Sequence, residues 1–91
     1  MSKRIVAVRK SRYGHGHLTE AGIGTVHGRP AYWEGVDTVR ANLASQTYYT
    51  VSPTSGAVAY VHRVTCECGV KTIQTDGDRW RDNNLDNLPT Y

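Results

Sequence analysis

Cysteine and histidine side chains in the second half of the chain are spaced as candidate metal ligands. His62 lies four residues before Cys66-Glu67-Cys68, and in a β-strand positions 62 and 66 point to one side of the sheet. Structural zinc takes four ligands, usually arranged in C-x₂₋₄-C pairs. A further ligand would come from one of the other histidines, which are His15, His17 and His27. Because the one-residue spacing is unusual for zinc, the pattern favours two reduced thiols at a hairpin tip, with a zinc site as the weaker alternative.

Basic side chains dominate the first twelve residues and are followed by an aromatic residue. No acidic residue precedes Glu20, and Arg12 and Tyr13 place a cation beside an aromatic ring. Nucleotide-binding proteins use this pairing, because a base stacks on the ring and a phosphate pairs with the cation. The sequence therefore predicts a surface that binds an anionic ligand, either nucleic acid or a nucleotide. The residues of this predicted surface are Lys3, Arg9, Lys10, Arg12, Tyr13 and Arg63.

The same basic residues have a second interpretation. Acidic residues gather near the carboxyl end, at Asp76, Asp78, Asp82 and Asp86, so the two ends of the chain can pair within one domain. The charges can also be merely solvated, since exposed ion pairs contribute only about 0–1 kcal/mol. In the same way, His15-Gly16-His17 suits a metal or a phosphate but equally suits a solvated loop.

Motifs of common enzyme classes are missing from the sequence. It contains no G-x-S-x-G, no phosphate-cradling glycine loop and no H-E-x-x-H. Asp76 and Asp78 begin like a calcium loop, but Asn87 stands where such a loop needs its glutamate. We therefore expect a non-enzymatic binding module that needs no cofactor.

The aromatic residues support an alternative function. The chain has no Phe, six Tyr and two Trp, and Tyr and Trp are favoured at recognition surfaces. In this alternative, Trp33 or Trp80 lies in an exposed patch that contacts a protein partner or a second copy of the chain. The protein would then be an assembly component, for example a small phage virion protein or an inhibitor of a host defence protein.

Length and composition limit the fold to one small domain. The chain has 91 residues and a formal net charge of +3, and this size supports a modest core. No apolar run approaches the roughly 18–20 residues needed to cross a bilayer, and no signal peptide is visible. Two cysteines that lie two residues apart make a poor structural disulfide, so we expect a reducing compartment, the bacterial cytoplasm, or a virion.

The stretch from residue 48 to residue 75 is expected to position these side chains. It predicts a meander of three strands at residues 48–52, 57–66 and 70–75, because β-branched and aromatic residues dominate it and turn residues separate the runs. In the middle strand Val58, Tyr60 and His62 share one face, while Ala59 and Val61 share the other. Neither face is plainly polar, which is typical of a central strand with neighbours on both sides.

The rest of the chain completes the predicted domain. Residues 3–9 predict a first strand, and residues 31–33 predict a short third strand. Residues 18–26 predict a second strand in which Gly22 and Gly24 suit a bulge or the close approach of another backbone. Asp37 is the expected N-cap of one helix at residues 38–45, and Leu85 and Leu88 are expected to anchor the end of the chain. The predicted fold is a single α+β domain: a mostly antiparallel sheet of about five strands, one short helix on a face and a docked C-terminal segment.

Both ends of the chain resemble those of a family of small bacterial and phage proteins. The family opens with a K-R-I-x-A-V-R-K-like strand, here residues 3–10, and closes with D-N-L-x-x-L-P, here within residues 82–89. Ala59-Tyr60-Val61 also resembles the family, whereas the extra Asn in Asp82-Asn83-Asn84-Leu85 and the Cys66-Glu67-Cys68 turn depart from it. The family is a domain of unknown function, so the resemblance implies the fold and a bacterial or phage setting but no catalytic residue.

Overall fold

Six strands and one helix lie in the part of the chain that the computed structural model describes, which is residues 2–11, 17–65, 69–75, 85 and 88–91. In chain order they are β1 (Ser2–Lys10), β2 (Leu18–Ile23), β3 (Tyr32–Gly35), α1 (Val36–Asn42), β4 (Thr47–Val51), β5 (Val58–Thr65) and β6 (Lys71–Thr75). The predicted α+β class is confirmed, with six strands in place of about five.

The strands form one sheet in the order β3-β2-β1-β4-β5-β6. The pairing of β1 with β4 is parallel, and the other neighbouring pairs are antiparallel. The predicted meander is therefore present as β4–β5–β6, and its middle strand has a neighbour on each side as predicted. The sheet is mostly antiparallel because four of its five pairings join strands that follow each other along the chain.

The two faces of the sheet carry different side chains. Helix α1 packs on the face that we call the covered face, where Val36 and Val39 of the helix meet the sheet residues of the core. These sheet residues are Ile5, Val8, Ala21, Ile23, Tyr48, Val61 and Ile73. The opposite face, which we call the outer face, carries Arg9, Trp33 and Tyr60 by strand alternation.

An irregularity in β1 decides which of its side chains reach each face. The register of β1 against β2 shifts between Ile5 and Ala7, so one extra residue of β1 is accommodated there as a β-bulge. Ile5 and Val8 both join the core on the covered face, although simple alternation would separate them. Lys3 and Arg9, which simple alternation would put on one face, therefore lie on opposite faces.

The helix begins earlier than the sequence pattern predicts. Gly35, the last residue of β3, is its N-cap with extended backbone (φ −64°, ψ 151°), and no side chain caps it. Asp37, the predicted N-cap, lies instead in the first turn, where its negative charge still complements the helix dipole. The correction arises because β3 runs directly into α1 without a loop. Arg40 then ties the helix to the sheet by donating hydrogen bonds to the carbonyl oxygens of Val64 and Thr72.

The connection between β2 and β3 folds back against β1. Strand β2 ends at Ile23 rather than at residue 26, and the following turn is held by three hydrogen bonds to β1, the first from Gly24 N to the carbonyl oxygen of Arg4 at 3.1 Å. Gly28 N donates to the carbonyl oxygen of Val6 at 3.0 Å, and Arg4 Nη1 donates to the carbonyl oxygen of Thr25 at 3.0 Å. Gly28 has a φ of 76°, a left-handed conformation that glycine adopts without steric cost.

Gly24 provides the close backbone approach that the sequence predicted for this region. A Cβ added at Gly24 would lie 2.9 Å from the carbonyl oxygen of Arg29 and 3.2 Å from Ala31 N. Ala31 N is itself fixed, since it donates to the carbonyl oxygen of Ile23 at 2.7 Å. We expect Gly24→Ala to lower the free energy of unfolding by about 1–3 kcal/mol, the usual cost of forcing extra volume into a tight site.

Urea denaturation followed by circular dichroism measures this effect, and Gly35→Ala is its matched control. The Cβ added at Gly35 meets no described atom within 4 Å, so the same chemical change should cost only the replacement of a favourable N-cap residue, about 0.5–1 kcal/mol. Equal losses of stability in the two variants would contradict the steric explanation.

The end of the chain docks on β1, as predicted. Leu85 and Leu88 are both buried in the core. Val8 N donates to the carbonyl oxygen of Pro89, and Tyr91 N donates to the carbonyl oxygen of Val8, both at 3.0 Å. This docking is possible because β4 pairs with β1 only as far as Arg4, which leaves the later part of that edge of β1 for the C-terminal segment.

Candidate functional site

Three side chains on the outer face form a cluster that combines a cation with two aromatic rings. The guanidinium carbon of Arg9 lies 4.1 Å from the centroid of the Trp33 ring. Tyr91 meets Trp33 edge to face, with ring centroids 5.6 Å apart and an interplanar angle of 70°. Tyr91 is 62% exposed, and its hydroxyl donates to the carbonyl oxygen of Gly28. We call Arg9, Trp33 and Tyr91 the arginine–aromatic cluster.

The pairing of β1, β2 and β3 positions this cluster. Arg9 pairs with Glu20, and Gly22 pairs with Trp33. Gly22 leaves the space that the Trp33 ring needs, because a Cβ at this position would lie 3.2 Å from that ring and 2.7 Å from Pro30 Cβ. The glycine that the sequence suggested as a bulge position thus makes room for an aromatic side chain.

Arg9 also forms an ion pair with Glu20. Its Nη1 lies 3.1 Å from Glu20 Oε1, and both side chains are partly exposed. Exposed ion pairs of this kind contribute about 0–1 kcal/mol, so an anionic ligand can replace Glu20 at little cost. A guanidinium stacked on an indole keeps its edge N–H groups available for a carboxylate or a phosphate. The cluster can therefore bind an anionic group beside a flat ring.

Lys3 belongs to a different group of side chains, on the covered face. Its Nζ lies 3.0 Å from Glu34 Oε2. Glu34 Oε1 accepts a hydrogen bond from the Tyr48 hydroxyl at 2.7 Å, and that hydroxyl accepts one from Asn42 Nδ2 at 3.0 Å. We call these four residues the Lys3 network. It joins β1, β3, β4 and the end of α1.

The protonation states of the Lys3 network favour a structural role. The hydrogen bond to Glu34 raises the pKa of Lys3. Burial raises the pKa of Tyr48, although the hydrogen bond from Asn42 opposes this shift. Lys3 therefore stays a cation and Tyr48 stays a neutral donor at physiological pH. The ammonium group of Lys3 makes its contacts within the domain. It pairs with Glu34, and the ring centroids of Tyr32 and Tyr48 lie within 6 Å of its Nζ.

The other predicted site residues do not gather around Arg9. Lys10 follows it at the end of β1, whereas Arg63 is exposed on β5, on the covered side of the sheet. His62 is exposed on β5, and the described ranges contain no group of three or more His, Cys, Asp or Glu that can hold a metal ion. The remaining predicted site residues lie outside the described residues; they are Arg12, Tyr13, Cys66, Cys68 and Trp80. Within the described residues, no helix is long and apolar enough to cross a membrane.

The sequence pattern missed three residues: Glu20 and Tyr91 beside the arginine–aromatic cluster, and Glu34 in the Lys3 network. Glu20 is eleven residues from Arg9, and the antiparallel hairpin of the first two predicted strands is the signal that can bring them together. Glu34 is the described partner of Lys3, whereas the acidic carboxyl-terminal residues that the sequence suggested lie outside the described residues. Tyr91 has no local signal, since it reaches Trp33 only after the C-terminal segment pairs with β1.

Comparison with known proteins gives a family and no function. No curated protein and no solved structure has significant similarity to the chain. A family model described as "Protein of unknown function (DUF3892)" matches residues 4–89. The match runs from the basic first strand to the end of the predicted D-N-L-x-x-L-P segment, and it includes Arg9 and Trp33. The chain belongs to the DUF3892 family.

Proposed function

We propose that this protein is a non-enzymatic binding module whose arginine–aromatic cluster binds a nucleotide or a single-stranded nucleic acid. The observation that carries the proposal is the Arg9 guanidinium 4.1 Å from the Trp33 ring, with the exposed Tyr91 ring at its edge. The family resemblance of both ends of the chain supports a bacterial or phage setting, and the scarcity of cysteine supports a cytoplasmic location.

The cluster offers the two kinds of contact that such ligands use. Stacking of a base on an aromatic side chain contributes about 1–3 kcal/mol per base. An arginine edge can form paired hydrogen bonds with phosphate oxygens, which a lysine cannot match. Because every base has a π-face, this combination favours binding with little sequence preference.

Charge around the cluster supports an anionic ligand. Arg29 is exposed and directly follows Gly28, whose carbonyl oxygen holds Tyr91. Among the residues that the structure describes, Glu20 is the acidic residue paired beside Arg9. The formal net charge of the whole chain is +3, so approach of a polyanion is favoured at low salt.

Charge reversal at Arg9 tests the proposal. We expect Arg9→Glu to weaken binding of a fluorescein-labelled oligothymidylate by about tenfold to a hundredfold, because it removes a phosphate contact and adds repulsion. Fluorescence anisotropy at two salt concentrations measures the dissociation constant, and the salt dependence should be smaller in the variant. Arg63→Glu is the matched control, since it makes the same change of charge on the covered side of the sheet. Equal weakening by both variants would mean that only net charge matters and would contradict a site at Arg9.

Exposed apolar residues on β5 favour a second candidate function, a protein–protein or assembly component. Val58 and Tyr60 are 46% and 54% exposed on the same face of β5. Large exposed apolar residues that lie together mark interaction surfaces in many proteins. Light scattering coupled to size-exclusion chromatography tests this candidate, which requires a stable oligomer or a retained protein partner.

A further inference from the structure

The outer face carries a second group of a cation and two aromatic rings, away from the arginine–aromatic cluster. Arg4 of β1 pairs with Tyr49 of β4, and Tyr49 pairs with Tyr60 of β5. Directly paired residues share a face of the sheet, and in the antiparallel pair of Tyr49 and Tyr60 the Cβ atoms lie about 4.5–5.5 Å apart. We call Arg4, Tyr49 and Tyr60 the tyrosine row. Tyr60 is 54% exposed and is therefore open to a ligand.

The sheet around the tyrosine row is favourable for a polyanion. The described outer-face residues of β4, β5 and β6 include no carboxylate; they are Thr47, Tyr49, Val51, Val58, Tyr60, His62, Val64, Thr72 and Gln74. A phosphate backbone that crosses this area meets no described side chain of its own charge. Flat sheet surfaces with exposed aromatic rings are also the surfaces on which single-stranded RNA is bound in several unrelated folds.

Arg4 has hydrogen-bonding capacity left for a ligand. Its Nη1 donates to the carbonyl oxygen of Thr25 at 3.0 Å in an exposed hydrogen bond, whereas its Nε is buried and is not accessible to a ligand. A guanidinium has five N–H donors, so the contact with Thr25 positions the group and leaves other N–H donors for a ligand. Arg4 is thus a cation fixed on the carbonyl oxygen of Thr25, at a backbone position that pairs with Tyr49.

The tyrosine row and the arginine–aromatic cluster are too far apart for one nucleotide. Trp33 pairs through Gly22 with Ala7 of β1, three residues from Arg4. Across the four strand spacings from β3 to β5, the distance from Trp33 to Tyr60 is roughly 20 Å. Proteins that bind single strands without sequence preference cover about 4–16 nucleotides. The exposed Arg29 lies on the turn that folds over β1 between the two groups.

We propose that the outer face binds a single-stranded nucleic acid of several nucleotides along a track from the arginine–aromatic cluster to the tyrosine row, rather than a free nucleotide. This inference rests on the proposed function and specifies its ligand. Arg9 and Arg4 contact phosphates at the two ends of the track. Trp33 with Tyr91, and Tyr49 with Tyr60, provide the two stacking positions.

Oligothymidylates of two, four, eight and twelve nucleotides test the track by isothermal titration calorimetry. We expect affinity to rise with length until both groups are occupied and then to level off. Tyr60→Ala should weaken binding of the eight-nucleotide strand by about 5-fold to 100-fold, the range for loss of one stacking contact. The same variant should leave binding of the two-nucleotide strand at the arginine–aromatic cluster unchanged. Tyr60→Phe, which keeps the ring, should retain wild-type affinity.

Tyr32→Ala is the matched control, because Tyr32 is a half-exposed tyrosine on the covered face, beside Lys3. It should change affinity by less than twofold. Affinity that is independent of length, together with loss of binding in Arg9→Glu, would overturn the track and leave the proposed function intact. Absence of binding to every strand would overturn both. If Tyr60→Ala converts a dimer to a monomer and leaves affinity unchanged, the tyrosine row is an interface between copies and the track is overturned.

Discussion

Replacement of Tyr48 by alanine is expected to lower the free energy of unfolding by about 3–5 kcal/mol, as for other large aromatic residues removed from cores. Tyr48 is fully buried and is the largest side chain with no exposure in the described structure. Small domains have about 5–15 kcal/mol of stability in total. A large fraction of Tyr48→Ala molecules should therefore be unfolded at 37 °C, and urea denaturation followed by circular dichroism measures the loss.

Tyr48→Phe separates the packing of the ring from the hydrogen bonds of the hydroxyl. This variant keeps the ring but leaves Glu34 Oε1 without its donor and Asn42 without its acceptor. An unpaired buried polar group costs about 1–3 kcal/mol, so Tyr48→Phe should lie between wild type and Tyr48→Ala. Tyr60→Ala, which removes a half-exposed ring, is the comparison. If Tyr48→Ala lowers the free energy of unfolding no more than Tyr60→Ala does, the proposed contribution of the buried Tyr48 ring to the core is contradicted.

The pH dependence of stability provides an independent check on Tyr48. Burial raises the pKa of Tyr48 above its ordinary value of 10.0, so the unfolded chain loses this proton at a lower pH than the folded chain does. The contribution of the Tyr48 hydroxyl to the free energy of unfolding is complete below about pH 10. It is lost as the pH rises through the folded-state pKa of Tyr48. The stability difference between wild type and Tyr48→Phe should therefore narrow between pH 9 and pH 12. A difference that stays constant over this range would contradict the raised pKa.

Replacement of Leu88 by alanine is expected to lower the free energy of unfolding by about 2–5 kcal/mol. Leu88 is buried in the core, and the residues after it hold the C-terminal segment on Val8. Loss of this anchor also releases Tyr91 from Trp33, so affinity for an oligothymidylate should fall at temperatures where the variant is still folded. Urea denaturation and fluorescence anisotropy measure the two effects.

Val26→Ala is the control for Leu88→Ala, since Val26 is 55% exposed and its truncation should have little effect. Carboxypeptidase digestion then shows whether the C-terminal segment has been released. Tyr91 should be removed faster from Leu88→Ala than from Val26→Ala. A destabilised Leu88→Ala variant whose carboxyl end is digested at the wild-type rate would contradict the role of Leu88 as an anchor.

Local patterns predicted most of the secondary structure, and long-range pairing accounts for what they missed. The meander β4–β5–β6 was predictable because runs of β-branched residues alternate with turn residues, as in the turn where Gly56 has a φ of 76°. The parallel pairing of β1 with β4 joins segments more than forty residues apart, which no local pattern specifies. The predicted start of the helix was wrong. Asp37 is a good capping residue by type, whereas the chain geometry places Gly35 at the N-cap.

The candidate site was predictable in part. The sequence identified Arg9 and Trp33 as separate candidates, one for an anionic ligand and one for an interface, and the structure stacks them on each other. The partners of the basic residues are 31 residues away for Lys3 and 11 residues away for Arg9. Which acidic residue pairs with each of them depends on the order of the strands in the sheet, and composition and charge do not predict that order. Tyr91 depends in addition on the docking of the C-terminal segment.

The β-bulge in β1 separates two kinds of selective constraint within one short strand. Before the bulge, Lys3 pairs with Glu34 and lies beside the ring of Tyr48 on the covered face, so a substitution of Lys3 alters folding. After the bulge, Arg9 faces Trp33 on the outer face, so a substitution there alters recognition and leaves the core unchanged. Related chains can therefore diverge in what they bind by changing Arg9, while Lys3 stays tied to the fold.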